Sequence, residues 1–241
     1  MTVRADVANN RLYIKLSGVI TKREWQKIYT EIRFIVPDLR PGYHVIADYS
    51  ESNLARLDGI TAYRKLINYL IKNGVAEVVR IIDDKSLLYQ QVKNLSSRIC
   101  SYKPLYALSL EEAEQKIAAS KRRNGLRFHY NDLPTAIYRF DDVEGKGRIL
   151  NLSTSGCAIG SASIIPATGA DISILIEFSG PEGTQKEFII KARVVWVDDE
   201  GFALEFHSLS DDKKEELLEC LLSQTEREIL TSCPLPEKNS Q

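Results

Sequence analysis

Ten consecutive residues, Ser120-Lys121-Arg122-Arg123-Asn124-Gly125-Leu126-Arg127-Phe128-His129, hold four formal positive charges and no acid. The chain around them is almost neutral, with 32 Lys+Arg against 33 Asp+Glu. Arginine dominates the run. A guanidinium offers planar, paired N–H donors that match phosphate oxygens or the O6/N7 edge of guanine, and its flat face stacks on a base. Gly125 weakens a helix by about 1 kcal/mol relative to Ala, so the segment reads as a mobile arm rather than a helix extension. The plain alternative is a solvated linker whose charge is incidental.

A second cluster follows at Asn151-Leu152-Ser153-Thr154-Ser155-Gly156. In an extended segment, positions i and i+2 share a face. Asn151 and Ser153 therefore point one way while Leu152 points to the core. A carboxamide oxygen beside a hydroxyl can accept from the N1–H and N2–H₂ donors of a guanine. Gly156 lets the backbone turn sharply or a ligand come close. The plain alternative is a polar turn whose hydroxyls bond the backbone.

The elements that must position these residues fall into two styles. Up to about residue 118, strand and helix patterns alternate. Leu12, Ile14 and Leu16 alternate with Arg11, Tyr13 and Lys15, the period of a strand. Thr21-Lys22-Arg23-Glu24 fits a capping box, and Trp25, Ile28, Ile32 and Ile35 continue at helical spacing until Pro37. Residues 43–49 read as a buried strand. Ile60, Leu66, Ile67, Leu70 and Ile71 form the inner stripe of a second helix, closed by Asn73-Gly74. A strand at 75–82, a helix marked by Leu88, Val92, Leu95 and Ile99, and a strand at 105–108 come next. Ser109 with Glu112 opens a last helix. This order predicts an α/β mixed sheet with helices over it.

From 135 to 206 the pattern contains no helix, only β-rich runs at 135–140, 146–150, 156–160, 171–178, 188–197 and 201–206, punctuated by glycines. Six short strands predict a small antiparallel barrel or sandwich, because closure removes sheet edges. Ser210 then caps a helix with Asp211 and Asp212 at its positive end and Leu217, Leu218, Leu221 and Leu222 on one face. The expected organisation is an α/β unit at 1–118, a basic arm at 119–127, a barrel with its C-terminal helix at 128–230, and a disordered tail at 231–241.

Other chemistries find little support. No apolar stretch approaches the roughly 20 residues of a membrane-spanning helix, and the opening MTVRADVANN has no apolar core for a secretory signal. Cys100, Cys157, Cys220 and Cys233 are widely spaced and read as reduced thiols of a cytoplasmic protein. His44, His129 and His207 match no metal motif. Gly145-Lys146-Gly147 reads as a hairpin turn rather than a phosphate loop. The acid pairs Asp83-Asp84, Asp141-Asp142 and Asp198-Asp199 fall at strand ends as solvated turns, not as acid/base dyads. Trp25 and Trp196 are expected in the core. No nucleophile–base pair can be named, so no enzyme and no cofactor are expected. With one short basic run and a net charge of −1, a nucleic-acid partner is not expected either.

In combination the two clusters resemble the PilZ family signature: Arg123-x-x-x-Arg127, a strand, then Asn151-x-Ser153-x-x-Gly156. The resemblance continues through Ala192-Arg193-Val194-Val195-Trp196 and Gly201-Phe202-Ala203-Leu204-Glu205-Phe206 into the final helix, spanning about 120–222. It implies a six-stranded β-barrel that binds the bacterial second messenger cyclic di-GMP. It further implies that Arg123 and Arg127, with Arg122, clamp phosphates and guanine edges from the arm. Asn151 and Ser153 would hold a guanine against the barrel, with Gly156 leaving room. Asn151 stands where aspartate is common in that family, and a neutral acceptor lowers the expected affinity.

Residues 10–118 are similar to the STAS-like domains of anti-sigma-factor antagonists, by element order and by Asp48-Tyr49-Ser50 as a strand-end D-x-S. Leu57-Asp58-Gly59-Ile60 occupies the place of the phosphorylatable serine, but that serine is missing. The resemblance implies protein docking rather than a phosphoserine switch. The expectation is a cytoplasmic cyclic di-GMP receptor with a protein partner on its first domain. In it, ligand binding orders the arm and changes the domain arrangement. The exposed face of the 210–230 helix is a candidate surface for a homodimer. The rival expectation is a PilZ-like protein-interaction module indifferent to nucleotide.

Overall fold

The computed structural model describes residues 1–99, 102–120, 126–129, 135–179, 185–207 and 209–232. The chain divides into two compact units, Met1–Leu126 and Arg127–Gln241.

The first unit is a five-stranded sheet in the order β1-β2-β3-β4-β5, formed by β1 (Thr2–Asp6), β2 (Arg11–Ile20), β3 (His44–Ala55), β4 (Glu77–Ile81) and β5 (Leu105–Ala107). β1 runs antiparallel to β2, and the other pairs are parallel. The helices are α1 (Lys22–Ile35), α2 (Ile60–Lys72), α3 (Leu87–Ile99) and α4 (Leu110–Ala119). Opposite faces of β4 meet different helices. Val79 and Ile81 pack with Ala113 and Ile117 of α4, while Arg80 donates to the Tyr63 hydroxyl of α2 at 2.5 Å. Every residue of β4 is consequently buried, as expected of a parallel strand covered on both faces.

Local chemistry sets the helix ends. Glu24 reaches back to the Thr21 N–H at 3.0 Å, completing the box at the start of α1. α2 ends in a Schellman motif: Val75 N–H bonds the Leu70 carbonyl and Gly74 N–H bonds that of Ile71, with Gly74 at φ +80°. At α4, Ser109 Oγ accepts from Glu112 N–H at 3.2 Å, but the Glu112 carboxylate reaches Leu108 N–H rather than that of Ser109.

The second unit is a closed antiparallel barrel in the order β10-β11-β8-β7-β6-β9. Its strands are β6 (Thr135–Phe140), β7 (Val143–Ser153), β8 (Gly156–Gly160), β9 (Asp171–Ser179), β10 (Gln185–Val197) and β11 (Gly201–His207), followed by α5 (Asp211–Ser232). Tyr138 and Phe202 meet edge to face inside it, with ring centroids 4.9 Å apart. Leu217 and Leu221 of α5 are fully buried, and Ser210 Oγ accepts from Lys213 N–H at its start.

The structure corrects several expectations. Gly145 and Gly147 are not a hairpin turn but lie inside β7. A Cβ at Gly145 would stand 2.4 Å from the Tyr138 ring, and one at Gly147 2.4 Å from Ile159 Cγ2. They are glycines because two large side chains fill the barrel there. The actual turn is Asp141-Asp142, both at positive φ, the backbone a two-residue hairpin requires. Trp25 is buried against Tyr63, at 4.7 Å between centroids, but Trp196 is 53% exposed rather than in the core. A β-bulge between Val194 and Trp196 turns it outward. Asp48-Tyr49-Ser50 does not end a strand, because β3 continues to Ala55 past an irregularity in its pairing with β2. α5 reaches Ser232, two residues into the stretch expected as a tail. The remainder of that tail, 233–241, lies outside the described residues. Among the described residues no helix is long and apolar enough to cross a membrane.

Candidate functional site

Strand β7 carries the polar cluster, and its backbone decides which way each side chain faces. Pairing with β8 runs Ile149↔Ile159 and then Asn151↔Ala158, so Leu150 is an extra residue, a β-bulge. Such a bulge resets the alternation of faces. Before it Ile149 points inward; after it Leu152 does, at 0% exposed, while Leu150 is 52% exposed. Without the bulge, strict alternation would put Asn151 inside the barrel and Leu152 outside.

Asn151 is half-buried on this outer side, and its Oδ1 is a buried atom with no hydrogen-bond partner among the described residues. Leaving a buried carbonyl oxygen without a donor costs on the order of 1–3 kcal/mol. That oxygen is an acceptor left without a donor among the described residues.

Ser153 shares the strand with Asn151 but not its availability. Its hydroxyl lies 3.0 Å from the Gly156 carbonyl, to which it donates, and accepts from Ser155 N–H at 3.3 Å. The plain alternative of a polar turn with backbone-bonded hydroxyls describes Ser153. Gly156 likewise serves the barrel. A Cβ there would stand 2.2 Å from the Leu204 carbonyl of β11, so the space the missing side chain leaves is taken by a neighbouring strand.

On its other side, this part of β7 pairs with residue 128. Phe128 N–H donates to the Leu152 carbonyl at 2.8 Å and Leu152 N–H to the Phe128 carbonyl at 3.0 Å, an isolated antiparallel bridge. The Phe128 ring is 2% exposed. Neighbours in such a pair point away from the bridged side chains, so Arg127 is set on the Ser153 side and His129 on the Asn151 side of the outer wall. Arg127 is exposed. Its charge reaches Cys157, the β8 partner of Leu152: burial pushes the Cys157 thiol far above its ordinary value, and Arg127 pulls it partly back.

Of the residues singled out by sequence, Arg127, Asn151, Ser153 and Gly156 thus gather on adjoining segments of the second unit. Arg122 and Arg123 fall in 121–125, outside the described residues, as does the core of the expected arm. Sequence reasoning weighed His129 only against metal motifs. The polar–apolar–polar alternation of Arg127-Phe128-His129 was the signal for a short strand that would align it. Among the described residues no three metal-ligating side chains converge.

Comparison with known proteins places the PilZ domain at residues 121–223. The sequence matches no curated protein. Among solved structures, the chain is similar to the PilZ domain of CeSA from a cellulose-synthesizing bacterium, at 16% identity and a TM-score of 0.32, over 42% of this chain and 97% of that one. It is similar to the anti-sigma factor antagonist SpoIIAA in its unphosphorylated form, at 12% identity and a TM-score of 0.35, over 50% of this chain and 96% of that one. It is also similar to Borreliella burgdorferi PlzA, solved in complex with c-di-GMP, at 15% identity and a TM-score of 0.29, over 49% of this chain and 47% of that one.

Proposed function

We propose that this chain, which carries a PilZ domain at residues 121–223, is a cytoplasmic receptor for cyclic di-GMP. The ligand lies against the outer wall of β7. Asn151 Oδ1 accepts from the N1–H and N2–H₂ of one guanine, and Arg127, joined by Arg122 and Arg123, holds phosphates and the O6/N7 edge. The observation that carries this reading is the Asn151 oxygen, buried and without a partner among the described residues, on the strand that pairs with the segment of Arg127. Arginine contacts of this kind are charge-assisted and stronger than neutral hydrogen bonds. Ser153 and Gly156 act indirectly, by shaping the turn that ends β7. Binding orders the arginine-bearing segment, changes the domain arrangement, and signals to a protein partner through the first unit.

Calorimetric titration with cyclic di-GMP tests the reading. Saturable heat at micromolar ligand that disappears in Arg123→Ala and Arg127→Ala is the expected outcome; absence of binding up to millimolar ligand removes it. A second reading, a protein-interaction module indifferent to nucleotide, is favoured by one observation: the Ser153 hydroxyl and Gly156 are already engaged by the barrel itself. A partner complex unchanged by the ligand and by the arginine substitutions would select it.

A further inference from the structure

We propose that the outer wall formed by β6, β9 and β10 is a self-complementary surface through which two copies of this chain pair. The inference is independent of the cyclic di-GMP reading and uses none of the residues assigned to it. Burial fixes which side chains the wall presents. Ala136, Tyr138, Ile174, Ile176, Phe188 and Ile190 are buried in the barrel, so the alternate positions on these strands face outward. Among those, Ile137 pairs with Leu175, and Leu175 with Ile189. Three aliphatic side chains therefore stand side by side in one cross-strand row, on a face that antiparallel sheets ordinarily give to polar residues. Ile189 is 69% exposed.

Charge is sorted to the two sides of that row. Two positions along the strands in one direction, Glu177 and Glu187 are exposed and directly opposite each other, a like-charge pairing that is destabilising within one copy. Two positions in the other direction, Ser173 pairs with both Arg139 and Lys191. Arg139 is held by Glu144, whereas Glu177, Glu187 and Lys191 enter no salt bridge among the described residues. A twofold axis laid along the aliphatic row sets each of its residues against the same residue of the second copy, as an isologous interface requires. The same rotation carries the acidic flank over the basic one, so that Glu187 of each copy meets Lys191 of the other. An axis laid along the strands would instead stack glutamate on glutamate. Charge thus selects the first arrangement, in which the strands of the two walls run in opposite directions. The wall spans three strands and, on β10, the residues Gln185–Arg193 that pair with β9, about 14 by 30 Å. A surface of that size predicts a weak, reversible dimer, at the low end of specific interfaces.

The test is sedimentation equilibrium of the ligand-free full chain from micromolar to millimolar concentration, at low and high salt, with thermal unfolding of each variant. The unmodified chain is expected to dimerise within that range, and less at high salt, because exposed ion pairs are screened. Ile189→Asp, which sets two carboxylates against each other on the axis, is expected to leave a folded monomer. Glu187→Lys and Lys191→Glu each place like charges face to face twice and are expected to weaken the dimer about tenfold. The double variant Glu187→Lys/Lys191→Glu faces opposite charges again and is expected to regain most of that loss. Glu187, Ile189 and Lys191 are all exposed, so melting temperatures are expected to hold; should Ile189→Asp unfold, the charge series still decides. A chain that stays monomeric to millimolar concentration, a dimer indifferent to Ile189→Asp, or a double variant no tighter than the single ones overturns the proposal.

Discussion

Phe128 is joined to Leu152 by two backbone hydrogen bonds of 2.8 and 3.0 Å, and both side chains are buried. This one contact fixes the register of the segment that carries Arg127 against the strand that carries Asn151. Phe128→Ala would remove a fully buried ring and is expected to cost about 3–5 kcal/mol, read as a lowered midpoint of thermal or urea unfolding. Arg127→Ala removes an exposed side chain and is expected to change stability by only about 0.5 kcal/mol. It is expected to weaken cyclic di-GMP about ten- to a hundredfold, the range of a charge-assisted bond. Equal destabilisation by the two substitutions would contradict this division of labour.

Asn151 should separate stability from binding in the same way. Its Oδ1 has no partner among the described residues, so Asn151→Ala is expected to leave unfolding unchanged or slightly improve it while abolishing ligand heat. Asn151→Asp introduces a charged acceptor. Tighter binding at a lower melting temperature is expected, since an unliganded carboxylate at this half-buried position is poorly solvated. A melting temperature that drops sharply in Asn151→Ala would mean that the carboxamide supports the barrel instead.

Gly156 makes the opposite prediction. An added methyl would meet the Leu204 carbonyl at 2.2 Å, and backbone cannot yield as a flexible side chain does. Gly156→Ala is therefore expected to cost about 1–3 kcal/mol, the range of overpacking, with any loss of binding following from loss of structure. A variant that melts like the parent but no longer binds would return Gly156 to the ligand.

What the sequence made legible, and what it hid, divides along physical lines. Helix stripes and caps were readable because they are local: Thr21 with Glu24, and Gly74 after α2, act within a few residues of where they stand. The six barrel runs were readable from composition and spacing. Bulges were not, since one extra residue in a strand leaves no mark on composition yet reverses every side chain beyond it. Leu150 and the Val194–Trp196 irregularity are of this kind: the first turns Asn151 outward, the second puts Trp196 in solvent against expectation. Gly145 and Gly147 were misread because their reason, the Tyr138 and Ile159 side chains, comes from other strands. β1 escaped notice because an edge strand with only Val3 and Ala5 as apolar residues is held mainly by backbone pairing to β2. At the site, residue types were legible and availability was not. Nothing local to Ser153 shows that its hydroxyl is bonded to the turn while the Asn151 oxygen is not.

In the first unit, the buried Arg80 guanidinium donates to the Tyr63 hydroxyl at 2.5 Å. Arg80 is 1% exposed, and water cannot replace a lost acceptor at such a position. Tyr63→Phe is expected to destabilise this unit by about 1.5–3 kcal/mol, the range of a hydrogen bond to a charged group, without affecting nucleotide binding by the barrel. Chemical denaturation followed by the fluorescence of Trp25, which packs on the Tyr63 ring, reports on it directly. An unchanged midpoint would mean that the remaining interactions of Arg80 suffice.

His44 gives the first unit a pH dependence of determinable sign. Burial lowers its pKa from the ordinary value of 6.5, and the Arg11 charge lowers it further, against a smaller opposing pull from Glu114. Its Nε2 is buried with no hydrogen-bond partner among the described residues. The unfolded chain thus takes up a proton at a higher pH than the folded one does. Because stability rises with pH wherever the unfolded state binds more protons, the contribution is present in full above pH 6.5 and is lost as the pH falls below it, down through the folded-state value. Unfolding midpoints measured between pH 8 and pH 5 are expected to decline in that lower window, and His44→Gln, which does not titrate, is expected to flatten the decline. A parallel decline in both proteins would assign the effect to other groups.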